Sequence, residues 1–255
     1  MTTEPSRTTH THLQLNVQRT MTQEHVTADL EHAFSLGADT VVFNEIETTW
    51  HRLEVARLAA VHGYGHFSPP GAAGAVVVAW RLEAGTVAYR KSILCATGMR
   101  GLSPNRYYNR VKFKRHDTGE YVAVSGTHMW SSGWTGTHDH DAIRRAHWHA
   151  HMWVMGPAFR RTTRHNVVSI GSGDLNRPPY TFRKGKVLTR LISPRGMVSA
   201  GYAHTDHTHG SETFDYVWFA SRRVPVVVDS WSTPAFNSDH DGVLVTVSWP
   251  TSAAR

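Results

Sequence analysis

The stretch Ser169–Pro179, SIGSGDLNRPP, sets a carboxylate and a carboxamide two residues apart, Asp174 and Asn176, at the end of a β-branched run. Alone, these residues read as a glycine turn, because glycine tolerates positive φ and Asx side chains bond their own backbone. Chemistry would need partners from elsewhere, since a metal ion or an activated water is held by oxygen and nitrogen groups converging from different strands. Such groups recur at other apolar runs. QLNVQ carries Asn16, and VVFNEIE carries Glu45 and Glu47, two apart and so on one strand face. VAVSGTHMW ends near His128, FDYVWF sets Asp215 beside apolar residues, and NSDHDGVLVTV puts Asp239 and His240 just before the final run. Each group singly is a cap, a turn or a satisfied polar residue. Together they read as one constellation.

The elements that must position them are short β-branched strands and a few helices. Strands are expected at Leu13–Gln18, Thr40–Glu47, Ala75–Arg81, Tyr107–Arg115, Tyr121–Met129, Asn166–Gly171, Phe214–Ala220, Val224–Trp231 and Gly242–Trp249. Helices are expected at Gln23–Leu36, with Thr22 capping its start and Gly37 its end, at Trp50–His62 and at Asp139–Phe159. HDTGE joins the fourth and fifth strands as a hairpin. Many strands with few helices predict an α+β sandwich.

The 255 residues can bury a sizeable core, and 40% hydrophobic with 18% charged residues is ordinary for a globular chain. MTTEPSRTTHTH has no apolar segment and reads as a disordered lead over residues 1–12, with one domain over 13–250. No run has the length of a membrane span, so no membrane partner is expected, and no obligate protein partner is evident. The single cysteine, Cys95, suits a reducing cytoplasm. Lys and Arg total 27 against 20 Asp and Glu, a net +7 that favours polyanionic partners, nucleic acid above all.

The order and local sequence of the polar groups resemble the endonuclease/exonuclease/phosphatase superfamily, from about Leu13 to Val247. GDLN looks like that family's Gly-Asp-x-Asn and SDHDGV like its Ser-Asp-His-x-Pro-Val. THM, VVFNEIE and FDYVWF look like its Thr-His-Leu, its strand ending in Gln-Glu and its Asp-Tyr-Ile strand. Three departures stand out: Asn44 in place of Gln, Asp241-Gly242 in place of residue-Pro, and no carboxylate between His66 and Arg81 to orient His128. The resemblance implies the DNase I-like fold, two mixed β-sheets packed face to face and flanked by helices in four layers. It implies Mg²⁺ or Mn²⁺ as cofactor, held by Glu45 with Asn16 and Asp239, a set whose oxygen donors suit such hard cations. It also implies that Asp174 activates water, that Asn176 fixes Asp174 and the phosphate, and that His128 and His240 touch the phosphate, with Asp215 holding His240. His128 aligns the chain with DNase I-like nucleases, sphingomyelinases, deadenylases and tyrosyl-DNA phosphodiesterases rather than with exonuclease III-like enzymes, which carry Asn there.

For substrate, MRGLSPNRYYNRVKFKRH interleaves cations with rings, and Arg106, Tyr108, Arg110 and Lys112 are the expected contacts to DNA. The plainer reading is an edge hairpin whose cations discourage aggregation. Arg160, Arg161 and Arg164 read as favourable charges at a helix C-terminus. Of the 19 histidines, His147 and His151 lie one helical turn apart but lack the acid of an HExxH zinc site, and AHTDHTHG reads as a mobile loop near the site. The expectation is a Mg²⁺-dependent hydrolase of phosphodiesters acting on DNA. The alternatives are a phosphatase or phosphodiesterase for a small phosphorylated molecule or phospholipid, and an inactive nucleic-acid-binding module.

Overall fold

The computed structural model describes residues 6–131, 140–176, 198–203 and 207–251. Its first sheet contains β1 (Arg7–Asn16), β2 (Thr40–Asn44), β3 (Tyr64–Phe67), β4 (Val77–Arg81), β11 (Val227–Ser232) and β12 (Val243–Pro250), in the order β11-β12-β1-β2-β4-β3. The second contains β5 (Gly85–Ala96), β6 (Arg106–Arg115), β7 (Tyr121–His128), β8 (Val168–Asp174), β9 (Ser199–Ala203) and β10 (Asp215–Ser221), in the order β5-β6-β7-β8-β10-β9. Each sheet has one parallel pair, β1 with β2 and β7 with β8, among antiparallel neighbours. The hairpin of β6 and β7 forms as expected.

Apolar side chains fill three interfaces, which makes four layers. Val42, Val78 and Val245 of the first sheet meet Val111, Phe113, Val124 and Ile170 of the second. Helices α1 (Gln23–Ser35) and α2 (Thr49–Val61) cover the outer face of the first sheet through Leu30, Phe34, Val55 and Leu58. Helix α3 (Asp141–Thr162) covers the second through Trp148, Met152, Met155 and Phe159. The threonine hydroxyls of Thr22 and Thr48 accept from His25 N and His51 N and so start α1 and α2. The fold is the expected α+β sandwich of two mixed sheets.

Strand β1 corrects one expectation. It begins at Arg7, so residues 7–12 are not a disordered lead; they pair with β12, Arg7 opposite Pro250. The sequence THTH looks too polar to be buried, yet alternation resolves it. Leu13 and Leu15 face the helices, while His10, His12, Gln14 and Asn16 face the second sheet and are fully buried. His10 and His12 both hydrogen-bond Thr40 Oγ1, at 2.9 and 2.8 Å, and His12 Nε2 reaches Ser172 Oγ across the sandwich at 2.8 Å. Residues 1–5 lie outside the described residues.

A second correction concerns the glycines before Asp174. They make no turn: β8 continues through Gly171, Ser172 and Gly173 to Asp174. They are clearances, because a Cβ on Gly171 would overlap the Trp218 indole and one on Gly173 the carbonyl oxygen of Thr127. Strands β3, β5 and β9 had no counterpart in the sequence reading. β5 is a sheet edge whose residues are mostly solvent-facing, so it shows no apolar alternation.

Candidate active site

Strand register assembles the site. The parallel pair β1–β2 sets Asn16 beside Asn44, one residue before Glu45. The parallel pair β7–β8 sets His128 beside Asp174, and antiparallel β8–β10 sets Asp174 opposite Asp215. All these strand ends open on one edge of the sandwich. Two non-glycine residues here take the left-handed conformation, Glu45 at φ 63° and Asn176 at φ 50°. Backbone held in that region by its surroundings is a mark of functional sites.

Amides tie the carboxylates together. Asn16 Nδ2 donates to Asp174 Oδ2 at 3.0 Å and to Glu45 Oε1 at 3.3 Å. Asn176 Nδ2 also donates to Asp174 Oδ2, at 3.0 Å, and Asn176 N donates to Asp174 Oδ1 at 2.6 Å. Asn44 is a bridge between the sheets: its Nδ2 donates to Thr127 O at 3.1 Å, and its Oδ1 accepts from Asp174 N at 2.9 Å and from Gln14 Nε2 at 2.6 Å. A shorter amide therefore suffices at that position.

Both histidines are oriented. His240 Nδ1 lies 2.6 Å from Asp215 Oδ2, and Asp215 is fully buried. Burial works against charging His240, but the hydrogen bond and the charge of Asp215 outweigh it and push its pKa up to about 9. Among the described residues no carboxylate bonds His128 Nδ1; Arg106 Nη1 donates to it at 3.0 Å. Arginine only donates, so Nδ1 must be the acceptor and the ring proton sits on Nε2. That nitrogen points to Asp174 Oδ2 at 3.5 Å and Glu45 Oε1 at 3.8 Å. Burial and then the Arg106 charge hold the His128 pKa well below its usual value, so this ring is neutral. Asp174 moves the other way, up to about 8, through burial and then the negative charge of Asp215.

The expected metal set is only partly brought together. Asn16 and Glu45 touch, and carboxylate oxygens of Glu45 and Asp174 lie within 4.8 Å of each other, with the protonated Nε2 of His128 beside them as a donor rather than a ligand. Asn16 Oδ1 is buried without a hydrogen-bond partner. An orphaned amide oxygen next to carboxylates is what a hard divalent cation would satisfy, so the residues fit such an ion. Asp239 instead accepts from Gln18 Nε2 at 3.1 Å and groups with His209 and His240. The link between the two clusters is the turn after β1, since Arg19 N donates to Glu45 Oε2 at 3.1 Å.

The expected substrate contacts separate. Arg106 lines a cavity of about 140 Å³ beside Glu45, together with Arg19, Glu47, Trp130 and Arg144. Tyr108 is a correction: it is fully buried under α3 and donates to Ser125 Oγ at 2.8 Å, so it has no surface for a base to stack on. Arg110 and Lys112 line a different cleft with Arg161 and Arg164. The sequence reading passed over Gln14, Arg19 and Arg144. Only Gln14 left a signal, as one of the polar residues alternating through HTHLQLN. His147 and His151 are not a metal pair: His147 stacks on Trp130 at 4.2 Å, whereas buried His151 bonds Thr127 Oγ1 at 2.7 Å. Of AHTDHTHG, residues 204–206 lie outside the described residues; His209 packs 4.6 Å from the His240 ring.

No protein-family model matches the chain, and no curated protein matches it in sequence. Solved structures do match. An endonuclease/exonuclease/phosphatase from Bacteroides vulgatus aligns with a TM-score of 0.73 at 15% identity, over 94% of this chain and 98% of that one. D. rerio TDP2 complexed with single strand DNA product aligns at 0.71 and 14% identity, again over 94% and 98%. ANGEL2, a 2′,3′-cyclic phosphatase, in complex with adenosine-2′,3′-vanadate aligns at 0.70 and 10% identity, over 97% and 99%. Among the described residues no helix is long and apolar enough to cross a membrane. By its sheets, their order and this likeness, the chain has the fold of the endonuclease/exonuclease/phosphatase proteins.

Proposed function

We propose that the chain is a divalent-metal-dependent hydrolase of phosphodiester bonds in the endonuclease/exonuclease/phosphatase superfamily, acting on nucleic acid, with DNA as the first substrate to test. The observation that carries this reading is the contact network joining Asn16, Glu45, His128, Asp174 and Asn176, next to the Asp215–His240 pair. Asn16 and Glu45 would hold the cation, with Asp239 across the Gln18–Arg19 turn. When bound, the ion supplies Lewis-acid charge to the phosphate. Asp174 takes the proton of the attacking water while the amides of Asn16 and Asn176 hold its carboxylate in place. Burial and the negative charge of Asp215 raise its pKa, which strengthens its carboxylate as a base. His240, kept cationic by Asp215, donates from Nε2 to a non-bridging oxygen as charge develops. Neutral His128 presents its Nε2–H to the same phosphate.

One observation favours a second reading. The cavity beside Glu45 is small, about 140 Å³, and its wall carries Arg19, Arg106 and Arg144 besides Glu45 and Glu47, cations placed for a terminal phosphoryl group. That geometry fits a phosphorylated chain end or a small phosphoester. Supercoiled plasmid, linear DNA, RNA and a chromogenic phosphodiester, each with Mg²⁺ or Mn²⁺, separate the readings. Cleavage should stop in EDTA and return with excess metal. Undiminished activity in protein freed of divalent ions would sink the proposal.

A further inference from the structure

Helix α3 and the edge strand β5 flank a groove on the outer side of the second sheet that the catalytic reading does not use. It consists of two cavities, about 510 and 480 Å³, that share Arg161. Lys91, Trp153 and Pro157 line the first; Tyr89, Arg110, Lys112 and Arg164 line the second. Neither is lined by a carboxylate, and among the described residues Lys91, Arg110, Lys112, Arg161 and Arg164 form no ion pair. Trp153 is 82% exposed and Tyr89 45%. Cations on an edge strand can serve only to discourage aggregation, but an indole left in water on the adjacent helix works against that purpose.

From the charge and the exposed rings, and resting on the phosphodiesterase reading, we infer that this groove binds the strand of a single-stranded polynucleotide that runs on from the catalytic cavity, its bases stacking on Trp153 and Tyr89. Helix α3 supplies the path. Arg144 lines the catalytic cavity, Trp153 the first groove cavity and Arg161 both groove cavities. At 1.5 Å per residue the distance from Arg144 to Arg161 is roughly 25 Å, a span of several nucleotides. Rings alternating with cations are what single strands use, because every unpaired base offers a π-face and every linkage a charge. A duplex keeps its base faces covered, so the groove selects unpaired strands.

The test uses the full chain. Fluorescence anisotropy in EDTA measures affinity for labelled DNA and RNA single strands of graded length and for a duplex, and steady-state hydrolysis with Mg²⁺ compares a 16-mer with a dinucleotide. Affinity should rise with length for single strands and stay low for the duplex. Trp153→Ala and Lys91→Gln should each weaken binding of the 16-mer about tenfold and raise its KM, while leaving kcat and dinucleotide hydrolysis unchanged. Wild-type affinity for the 16-mer in both variants, with dinucleotide hydrolysis intact, overturns the groove but not the catalytic reading. Length-dependent binding without any hydrolysis does the reverse. Tighter binding of polyglutamate than of single strands would assign the groove to an acidic protein instead.

Discussion

Substituting His12 tests how the buried polar face of β1 is maintained. His12 is fully buried, and burial followed by the neighbouring His10 lowers its pKa from 6.5 to about 3. The unfolded chain takes up a proton at position 12 below pH 6.5, but the folded protein does not until pH falls towards 3. Stability from this group is therefore complete above pH 6.5 and is lost as pH falls between those limits. At pH 5 the gap is 1.5 pH units, and at 1.36 kcal/mol per unit the loss is about 2 kcal/mol. His12→Gln keeps an amide able to bond Thr40 and Ser172 but cannot be protonated. Whatever packing cost the variant shows at pH 8 should shrink by about 2 kcal/mol at pH 5, roughly 4–8 °C in Tm for a chain of this size. Comparing variant with wild type cancels the contributions of the other titrating groups. Urea unfolding at half-unit pH steps measures the difference. Stability curves that run parallel from pH 8 to pH 5 would refute the claim that His12 is held neutral by burial.

Further outcomes follow from the site. Asp215→Asn should lower kcat by roughly a hundredfold, since His240 loses the charge that keeps it cationic; adding His240→Ala should cost little more, and fully multiplicative losses would separate the two residues. Arg106→Met frees His128 Nδ1, so kcat should fall at least tenfold and nitrogen NMR should show the ring leaving its single Nε2–H tautomer; an unchanged tautomer would mean that Arg106 does not set it. Gly173→Ala puts a methyl group against the Thr127 carbonyl, so the β7–β8 register that pairs His128 with Asp174 must shift. Tm should drop by several degrees with loss of activity, and a variant indistinguishable from wild type would show that the close approach is not needed.

Much of the candidate site was legible in the sequence because its polar groups sit in short local signals. GDLN, SDHDGV, THM and FDYVWF each place a polar group at the mouth of an apolar run, and period-two alternation gives the strand and the polar residue at its end together. The start of α1 was legible for the same reason, since Thr22 caps through its own hydroxyl; Thr48, which caps α2 in the same way, was not singled out. Tertiary structure decided what those groups do to one another. Asn44 as a bridge, Arg106 as the group behind His128, and Tyr108 as a buried residue all depend on contacts between segments far apart in the chain. THTH was misread because polarity was taken for exposure, whereas its histidines find hydroxyl partners on β2 and β8 inside the sandwich. The glycines before Asp174 were read as a turn because sequence shows their freedom and not the carbonyl and indole they make room for. Pairing within a strand is periodic and so written locally; pairing across the sandwich is set by register between distant strands, and only the folded chain fixes it.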